Sequence, residues 1–501
     1  MRALLVTSAG VTCAMALTLP LATSAAAAPT PDLHSASSRP PSTSPASPGA
    51  GPPAVRAEAA EPAGSTQSLP LAPLAASSDR VAGAPAAQGL PQRDARPFSL
   101  VGVVWDDPEA ELHGTVQVRT RTTGTTRWSE WQDIETHNAE HAADLGSAER
   151  EGRTVRGATA PLWVGDSDGV EVRVRPRSPE ASDHHEHAEP SDHHGSAQPQ
   201  DRAAAPVPLP EGLRLELVDP GEDPAPEPAR SAPTGRAAAT PAVFADTPPT
   251  AAVLPEALTA EVAAASAVNA ELAELGATAI PALTQKETLE SVNAAPGAKP
   301  YIGPRPKIIT RKGWGADEKL RERNFAYTKT VKAAFVHHSA TGNNYTCKQA
   351  PSVLRSIYRY HVKSSGWRDF GYNFAVDKCG NIYEGRAGGV SKAVLGAHTL
   401  GFNTNTMGIA VLGSYGSTNP PAAAVTAVSK LTAWKLGLFG ANPKGKVTLV
   451  SGGSNKYKAG VKVSMNVISG HRDGFATECP GARLYKKLGT ARTSSAKLQG
   501  R

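Results

Sequence analysis

The distribution of proline along the chain most constrains how it can fold. The 501 residues include 43 prolines, and most of them lie before residue 310, in stretches dominated by alanine, proline and serine. Such segments bury too little apolar surface to offset the conformational entropy lost on ordering them. We therefore expect compact folding to be concentrated in the last third of the chain and in one shorter segment before it.

The composition divides the first 304 residues into segments of different character. Residues 29–95 and 219–304 are predicted to be Ala/Pro-rich spacers, and the Ala- and Glu-rich run 254–275 is a candidate helix. Residues 96–218 hold short alternating apolar runs between turn residues, which predicts a small β-rich domain. Its polar insert, residues 182–194, has five histidines. We interpret this insert as a solvated loop, with loose metal binding as the alternative.

The first 28 residues have the pattern of a secretory signal peptide. Arg2 supplies a positive charge, residues 3–21 form an apolar core, and residues 24–28 offer small-residue cleavage sites. A membrane anchor is the alternative, but the run is short and contains Thr, Ser and Pro. Cleavage after Ala27 is slightly preferred, because Pro29 disfavours cutting directly before it. We therefore expect a protein that is secreted, extracellular or associated with the cell wall.

The chain carries a formal net charge of +6 and has a pI near 9.0. A mildly basic protein suits an anionic partner such as a cell envelope, and it equally suits nucleic acid. No run of Lys and Arg is interleaved with aromatic residues. Nucleic acid is therefore the weaker candidate, and we predict no nucleic-acid partner.

Residues 305–492 have the composition of a globular domain, and residues 493–501 are predicted to be a tail. Apolar runs predict strands over 331–336 and 407–412 and a hairpin over 373–383, while 3.6-residue periodicity predicts helices over 350–362 and 422–439. Strands separated by helices imply an α/β or α+β arrangement. We predict an α/β domain with a mixed β-sheet flanked by helices.

Three polar residues follow apolar segments in a way that suits a metal site. His337 and its neighbour His338 end a predicted strand, His471 lies in a Gly-flanked loop, and Cys479 lies in a Pro-Gly turn. Each residue alone is more often structural. Two imidazoles and one thiolate together, with an open fourth position, are a ligand set of the catalytic zinc type.

The cysteine count is consistent with one thiol outside a disulfide. Cys13 lies in the signal segment, which leaves Cys347, Cys379 and Cys479, an odd number for a secreted chain. Cys347 precedes a predicted helix and Cys379 lies at the hairpin turn, so a bridge between them would link helix to sheet. This pair is predicted as the disulfide. The alternative, in which Cys479 pairs with one of them, remains open.

Five short motifs are spaced along this domain. They are FVHHSA (335–340), GWRDFGYNF (366–374), GNIYEGR (380–386), GAHTLGFN (396–403), and SGHRD (469–473) with TECPG (477–481). Together and in this order they resemble the peptidoglycan recognition protein family, which shares its fold with the zinc N-acetylmuramoyl-L-alanine amidases. That resemblance implies a secreted, zinc-dependent enzyme that hydrolyses the lactyl amide between N-acetylmuramic acid and the L-alanine of the stem peptide.

The resemblance also implies roles for individual residues. It assigns the Zn²⁺ ligands to His337, His471 and Cys479, so that His338 becomes a neighbouring packing residue. It assigns the catalytic tyrosine to Tyr372 and an oxyanion-assisting position to Thr477. His398 and Asn403 match the wall of the family's cleft and are predicted to bind substrate, with a structural hydrogen-bonding loop as the alternative.

Two other functions remain open at this point. The first is a non-catalytic peptidoglycan receptor on the same fold, which the presence of Cys479 disfavours because receptors of the family typically lack the thiolate ligand. The second is a cell-wall adhesion protein in which the β-rich segment does the main work. In all three cases we expect peptidoglycan, both glycan strand and stem peptide, as the partner of a monomer whose mature chain has no membrane span.

Overall fold

The computed structural model describes residues 64–74, 87–136, 141–147, 149–177, 207–223, 258–292 and 300–501. All of these residues belong to one compact unit, residues 60–501. The predicted signal peptide, the histidine-rich insert, and most of the predicted spacers lie outside the described residues.

The first part of the described chain forms a β domain with one antiparallel sheet. In β4, buried Val116, Val118 and Thr120 alternate with more exposed polar residues, so one face of the strand packs on the core. The main path through the sheet runs β1-β8-β3-β7-β4-β5, and β2 and β6 pair with β3. The strands are β1 (Ser65–Pro70), β2 (Ala72–Pro73), β3 (Gln88–Trp105), β4 (Gly114–Thr122), β5 (Gln132–Ile134), β6 (Gly157–Ala158), β7 (Leu162–Pro176) and β8 (Arg214–Asp219).

The predicted boundary of this domain at residue 96 is wrong. Strands β1 and β2 and the first residues of β3 lie in the segment 29–95 that composition assigned to a spacer. The strand β1 pairs with β8 along its whole length, from Ser65 opposite Asp219 to Pro70 opposite Arg214. Its backbone hydrogen bonds are made to a strand far away in the sequence, so local composition does not reveal them.

The rest of the described chain forms the amidase-like domain, in which helices surround a seven-stranded sheet. A 3₁₀ turn, Cys347–Gln349, and a π-helical turn, Tyr360–Ser364, flank the fourth helix. The elements are α1 (Ala260–Ala267), β9 (Ala279–Ile280), α2 (Gln285–Ser291), β10 (Ile308–Ile309), α3 (Arg311–Trp314), β11 (Ala333–His338), α4 (Ala350–Arg359), β12 (Phe374–Val376), β13 (Ile382–Glu384), β14 (Thr406–Val411), α5 (Ala422–Leu438), β15 (Lys446–Val450), β16 (Lys462–Asn466), β17 (Ile468–Gly470), α6 (His471–Gly474), α7 (Ala482–Tyr485) and α8 (Leu488–Leu498).

The sheet order is β17-β11-β14-β12-β13-β10-β9, and β15 and β16 form a separate antiparallel pair. Strands β17, β11, β14 and β12 run parallel to one another, whereas β13 is antiparallel to β12 and β9 is antiparallel to β10. The strands β11 and β14 are buried along their whole length, as expected for central parallel strands covered on both faces. The predicted fold class, a mixed sheet flanked by helices, is confirmed.

The amidase-like domain extends beyond both predicted ends. Within the segment 219–304, predicted to be a linker, β9 pairs with β10, and Asn269 donates to Glu384 and accepts from the Val390 amide, both at 2.9 Å. Residues 493–498 of the predicted tail belong to α8, where the hydroxyl oxygen of buried Ser495 lies 3.0 Å from Thr432 Oγ1. The alanine-rich composition of the first segment and the small polar residues of the second concealed them, because their contacts with the sheet and helices are not visible in local composition.

The two domains share one hydrophobic core. Leu100, Val104 and Trp163 of the β domain belong to the same buried cluster as Leu354 and Tyr358 of α4. The close approach requires a glycine at residue 102, because a Cβ atom there would lie 2.4 Å from the hydroxyl oxygen of Tyr360. That hydroxyl group donates to the carbonyl of Thr159 at 3.1 Å. A continuous core fixes the position of the β domain on α4.

Over the described parts of the chain, every helix is too short or too polar to cross a lipid bilayer.

A disulfide joins Cys347, before α4, to Cys379, in the turn between β12 and β13. The cysteines are 32 residues apart, so the chain-entropy model assigns the bridge about 3–4 kcal/mol of stabilisation.

We predict that the double variant Cys347→Ser/Cys379→Ser loses about that much free energy of unfolding, measured by urea denaturation. Reduction of the unchanged protein is the control and should give the same loss, whereas an unchanged midpoint in both would contradict the prediction.

Candidate metal centre

Two histidines meet at one edge of the central sheet because of strand order. His337 lies near the end of β11, and His471 directly follows β17. These strands are parallel neighbours, with Val336 opposite Gly470. The next residues, His337 and His471, therefore lie at the same edge of the sheet. The ring centroids of His337 and His471 are 4.4 Å apart. The pairing of β11 with β17 thus brings together two histidines that are 134 residues apart in the sequence.

Cys479 reaches the same edge through a short loop after α6. The amide of Arg472 donates to the Cys479 carbonyl at 3.0 Å, which folds the loop back towards the start of the helix. The amide of Cys479 donates to Thr477 Oγ1 at 3.1 Å. The sulfur is completely buried, lies outside the disulfide, and is 3.8 Å from His337 Nδ1. The three residues that the resemblance assigned as ligands therefore lie together.

A fourth residue, His141 of the β domain, completes the cluster. Its Nε2 atom lies 3.1 Å from His471 Nδ1 and 3.6 Å from Cys479 Sγ. His141 begins a run between β5 and β6, residues 141–147 and 149–156, that we call the covering segment. Sequence analysis missed it and considered the histidine-rich insert instead. The local sequence offered only a single histidine in an irregular stretch of a β-rich domain. This feature is too common to identify a metal ligand.

The four residues fit a zinc ion. One potential ligand atom from each of the four lies within 4.8 Å of all the others, and all four residues are buried. A tetrahedral zinc ion with bonds of about 2.0–2.1 Å to nitrogen and 2.3 Å to sulfur places nitrogen pairs about 3.4 Å apart and nitrogen–sulfur pairs about 3.6 Å apart. The separations from His141 Nε2, 3.1 Å to His471 Nδ1 and 3.6 Å to Cys479 Sγ, are compatible with these values.

The protonation state of the histidines also suits a metal. Burial lowers the pKa of His337 well below 6.5, and the neighbouring histidines lower it further. Burial likewise lowers the pKa of His141 well below 6.5. Both rings are therefore neutral near pH 7, and the neutral imidazole is the form that binds metal ions.

His338, the second histidine of the pair, lies outside the cluster. Successive side chains of a strand point to opposite faces, so only one of the two adjacent histidines can face His471. The Nδ1 atom of His338 accepts from the Tyr415 amide at 3.3 Å, and its Nε2 atom is 3.6 Å from a carboxylate oxygen of Glu135. This placement supports His337 as the ligand.

The two residues predicted to be catalytic lie at different depths around the cluster. Tyr372 is buried, and its ring centroid is 5.2 Å from that of His337 and 5.8 Å from that of His141. Thr477 is half-buried, and its hydroxyl oxygen accepts from the amide of Cys479. Tyr372 is thus beside the cluster, and Thr477 is part of the loop that carries the sulfur.

The residues predicted to bind substrate are buried beneath the covering segment. The ring centroid of His398 is 5.4 Å from that of His337, and the side chain has no solvent exposure. Asn403 Oδ1 accepts from the amide of His398 at 2.7 Å, which is the structural role considered as the alternative. Asn403 Nδ2 donates to the Ala142 carbonyl at 2.9 Å and to Asp144 Oδ1 at 2.7 Å. Substrate could reach the side-chain amide of Asn403 only if the covering segment moved.

Comparison with known proteins agrees with this division of the chain. Residues 327–482 match the family model described as N-acetylmuramoyl-L-alanine amidase. Residues 53–206 match a model described as Rv3811 N-terminal galactose-binding domain-like. The match of the second model to a region that includes β1 agrees with the corrected start of the β domain.

Similar individual proteins cover the amidase-like domain. Peptidoglycan-recognition protein SC2 of Drosophila melanogaster is 31% identical over 185 residues, which are 36% of this chain and 85% of the relative. The N-acetylmuramoyl-L-alanine amidase of Homo sapiens is 31% identical over 189 residues, which are 37% of this chain and 28% of the relative. A solved structure of wild-type Drosophila PGRP-LB matches at 25% identity and a TM-score of 0.29, covering 36% of this chain and 92% of that one. The chain belongs to the peptidoglycan recognition protein and N-acetylmuramoyl-L-alanine amidase family.

The adjacent histidines provide a matched test of the metal centre. We predict that His337→Ala lowers zinc affinity by about 100-fold or more, since loss of even an outer partner of a ligand costs 10–100-fold. His338→Ala should retain one zinc ion per chain, because its ring contacts Tyr415 and Glu135 instead. The measurement is zinc content and competitive chelator titration of both variants. Equal loss of zinc in the two variants would contradict the assignment.

Proposed function

We propose that the chain is a zinc-dependent N-acetylmuramoyl-L-alanine amidase. It would hydrolyse the lactyl amide between N-acetylmuramic acid and the L-alanine of the stem peptide in peptidoglycan. The observation that carries this proposal is the convergence of His337, His471 and Cys479 beside Tyr372, in a domain that matches the amidase family model.

The chemistry divides between the metal and the side chains. When bound, a zinc ion supplies a Lewis acid and activates water for attack on an amide. His337, His471 and Cys479 would hold the ion, and their burial excludes bulk water from the reaction. A dry site also strengthens each electrostatic contact within it.

Tyr372 is proposed to stabilise the transition state. Its ring lies close to those of His337 and His141, and its hydroxyl group is proposed to reach the position where the scissile carbonyl would bind. A fixed hydroxyl donor there can hydrogen-bond the negative charge that develops on the carbonyl oxygen. Thr477, on the loop with Cys479, is proposed as a second and uncharged donor.

Binding of peptidoglycan without hydrolysis is the second candidate. It is favoured by the relatives named peptidoglycan-recognition proteins, which match the domain at about the same identity as the named amidase. The retained cysteine ligand favours hydrolysis over binding alone.

Secretion is also part of the proposal. It is supported by the apolar run and small residues at the start of the chain and by the disulfide Cys347–Cys379. Disulfides persist in oxidising compartments outside the cytosol. A cell-wall substrate lies in the same compartment.

Digestion of purified peptidoglycan tests the reaction. We predict that zinc-loaded protein releases stem peptides that begin with L-alanine, detected by mass analysis, and that a chelator abolishes release. The assay includes His141→Ala beside the unchanged chain, because His141 lies among the ligands. Cys479→Ala is the control and should release nothing. New reducing sugar ends would indicate a glycosidase instead. If the unchanged chain and His141→Ala both sediment with the cell wall but release no peptide, the protein is a receptor.

Tyr372→Phe tests the donor separately from the metal. Removal of one oxyanion donor typically lowers kcat by about 100-fold to 1,000-fold. We predict a loss of this size with zinc content unchanged, because the tyrosine is not a ligand. The variant keeps the ring that packs beside His337. A rate within twofold of the unchanged protein would remove Tyr372 from the mechanism.

A further inference from the structure

We propose that His141 is a fourth metal ligand, supplied by the β domain, and that it holds the chain in a latent form. This inference rests on the proposed zinc-dependent amidase, and it adds a regulatory function for the β domain. The covering segment would act as an internal inhibitor that both completes the coordination of the metal and occupies the cleft above it.

The position of the His141 ring supports direct ligation rather than simple packing. Its Nε2 atom faces both His471 Nδ1 at 3.1 Å and Cys479 Sγ at 3.6 Å. The ring also contacts Tyr372 edge-on, with centroids 5.8 Å apart. It therefore lies beside both the other ligands and the proposed catalytic donor, where a substrate carbonyl would have to bind.

Coordination chemistry gives this position a consequence. Catalytic zinc sites have three protein ligands and keep one position for water or substrate, whereas sites with four protein ligands are structural and closed. His337, His471 and Cys479 make three, and His141 makes four. With His141 in place the site lacks the open position that hydrolysis requires.

The covering segment is also fixed to the cleft by residues that follow His141 in the chain. Asp144 accepts from the amide of Gly401 and from Asn403 Nδ2, both at 2.7 Å. Farther along, the Glu149 carboxylate pairs with Arg386, and both side chains are buried. Charge-assisted contacts of this kind are about twice as strong as neutral ones.

The backbone of the covering segment also forms hydrogen bonds with the amidase-like domain as far as the end of the segment. The side chain of Arg368 donates to the carbonyls of Glu149 and Glu151, both at 3.1 Å. The amide of Arg156 donates to the carbonyl of Ser365 at 3.1 Å. Arg368 and Ser365 come from the stretch just before Tyr372, so the segment covers the proposed active site along its length.

The architecture allows the segment to open without separating the domains. The shared core involves β3, β6, β7, β8 and α4, whereas the covering segment, which ends just before β6, contributes no residue to that cluster. Movement of the segment alone would remove His141 and expose Asn403. Any ligand that binds the open form better, such as the cell-wall polymer, would shift the population towards it.

Cobalt substitution tests the fourth ligand independently of activity. Co²⁺ in place of zinc absorbs visible light, and the spectrum changes when an added anion such as thiocyanate enters an open coordination position. We predict that thiocyanate leaves the spectrum of the unchanged chain unaltered and changes that of His141→Ala saturably. His113→Ala, an exposed histidine of the same domain, is the matched control and should behave as the unchanged chain.

The same variants are then assayed on peptidoglycan with zinc. His141→Ala should release stem peptides faster by on the order of tenfold or more, the size of a typical coupling between sites. Asp144→Ala retains the imidazole but loses the contacts with Gly401 and Asn403, and it should give an intermediate anion response and rate. If His141→Ala does not fold, the proposal is tested with Asp144→Ala alone. A spectral response of Asp144→Ala to thiocyanate equal to that of the unchanged chain then overturns the proposal.

The remaining outcomes separate this inference from the proposed function. A thiocyanate response in the unchanged chain equal to that of His141→Ala would overturn the fourth ligand while leaving the metal site intact. An open site in His141→Ala without faster hydrolysis would overturn latency, and would make His141 part of a structural link between the domains. Failure of all forms to bind Co²⁺ would overturn the metal site and the proposed amidase together.

Discussion

The parallel pairing of β11 with β17 is the constraint on which the site depends. It brings His337 and His471 to one edge of the sheet, and the loop after α6 returns Cys479 to the same place. All of these groups are buried, and burial keeps His337 neutral. Imidazole nitrogens and a cysteine sulfur that lie within 4.8 Å of one another in a buried site are the donor types that bind zinc. A divalent ion satisfies all of them at once, which is why the donor geometry leads directly to a metal.

The β domain takes on a role that its sequence does not suggest. Some of its buried residues form one apolar cluster with α4, so apolar packing holds the two domains together. On that fixed base, one irregular stretch between β5 and β6 crosses the cleft and carries His141 to the metal ligands. Movement of this one segment would convert a closed set of four ligands into a catalytic set of three. Local opening is therefore sufficient, in this proposal, to regulate the site.

Sequence reasoning succeeded where the signal was local. The apolar runs that became β11 and β14 and the helical periodicity of α4 and α5 are properties of neighbouring residues, and the motif around His337 and Cys479 identified the domain. It failed where pairing was distant. Strand β1 is stabilised by hydrogen bonds to β8, and β9 by hydrogen bonds to β10, so neither could be recognised from its own composition. The helical end of the chain was likewise concealed, because its burial against α5 depends on packing.

The sequence by itself therefore determined the fold class of the last third of the chain, the family, and the identity of three candidate ligands, because those properties are written in local patterns of residue type. The tertiary structure supplied the physical reason for preferring His337 to its neighbour, since strand alternation turns only one of two adjacent side chains towards His471. It alone placed His141, 196 residues before His337, within ligand distance of Cys479. No local pattern marks such a residue, because its position depends on how two domains pack against each other.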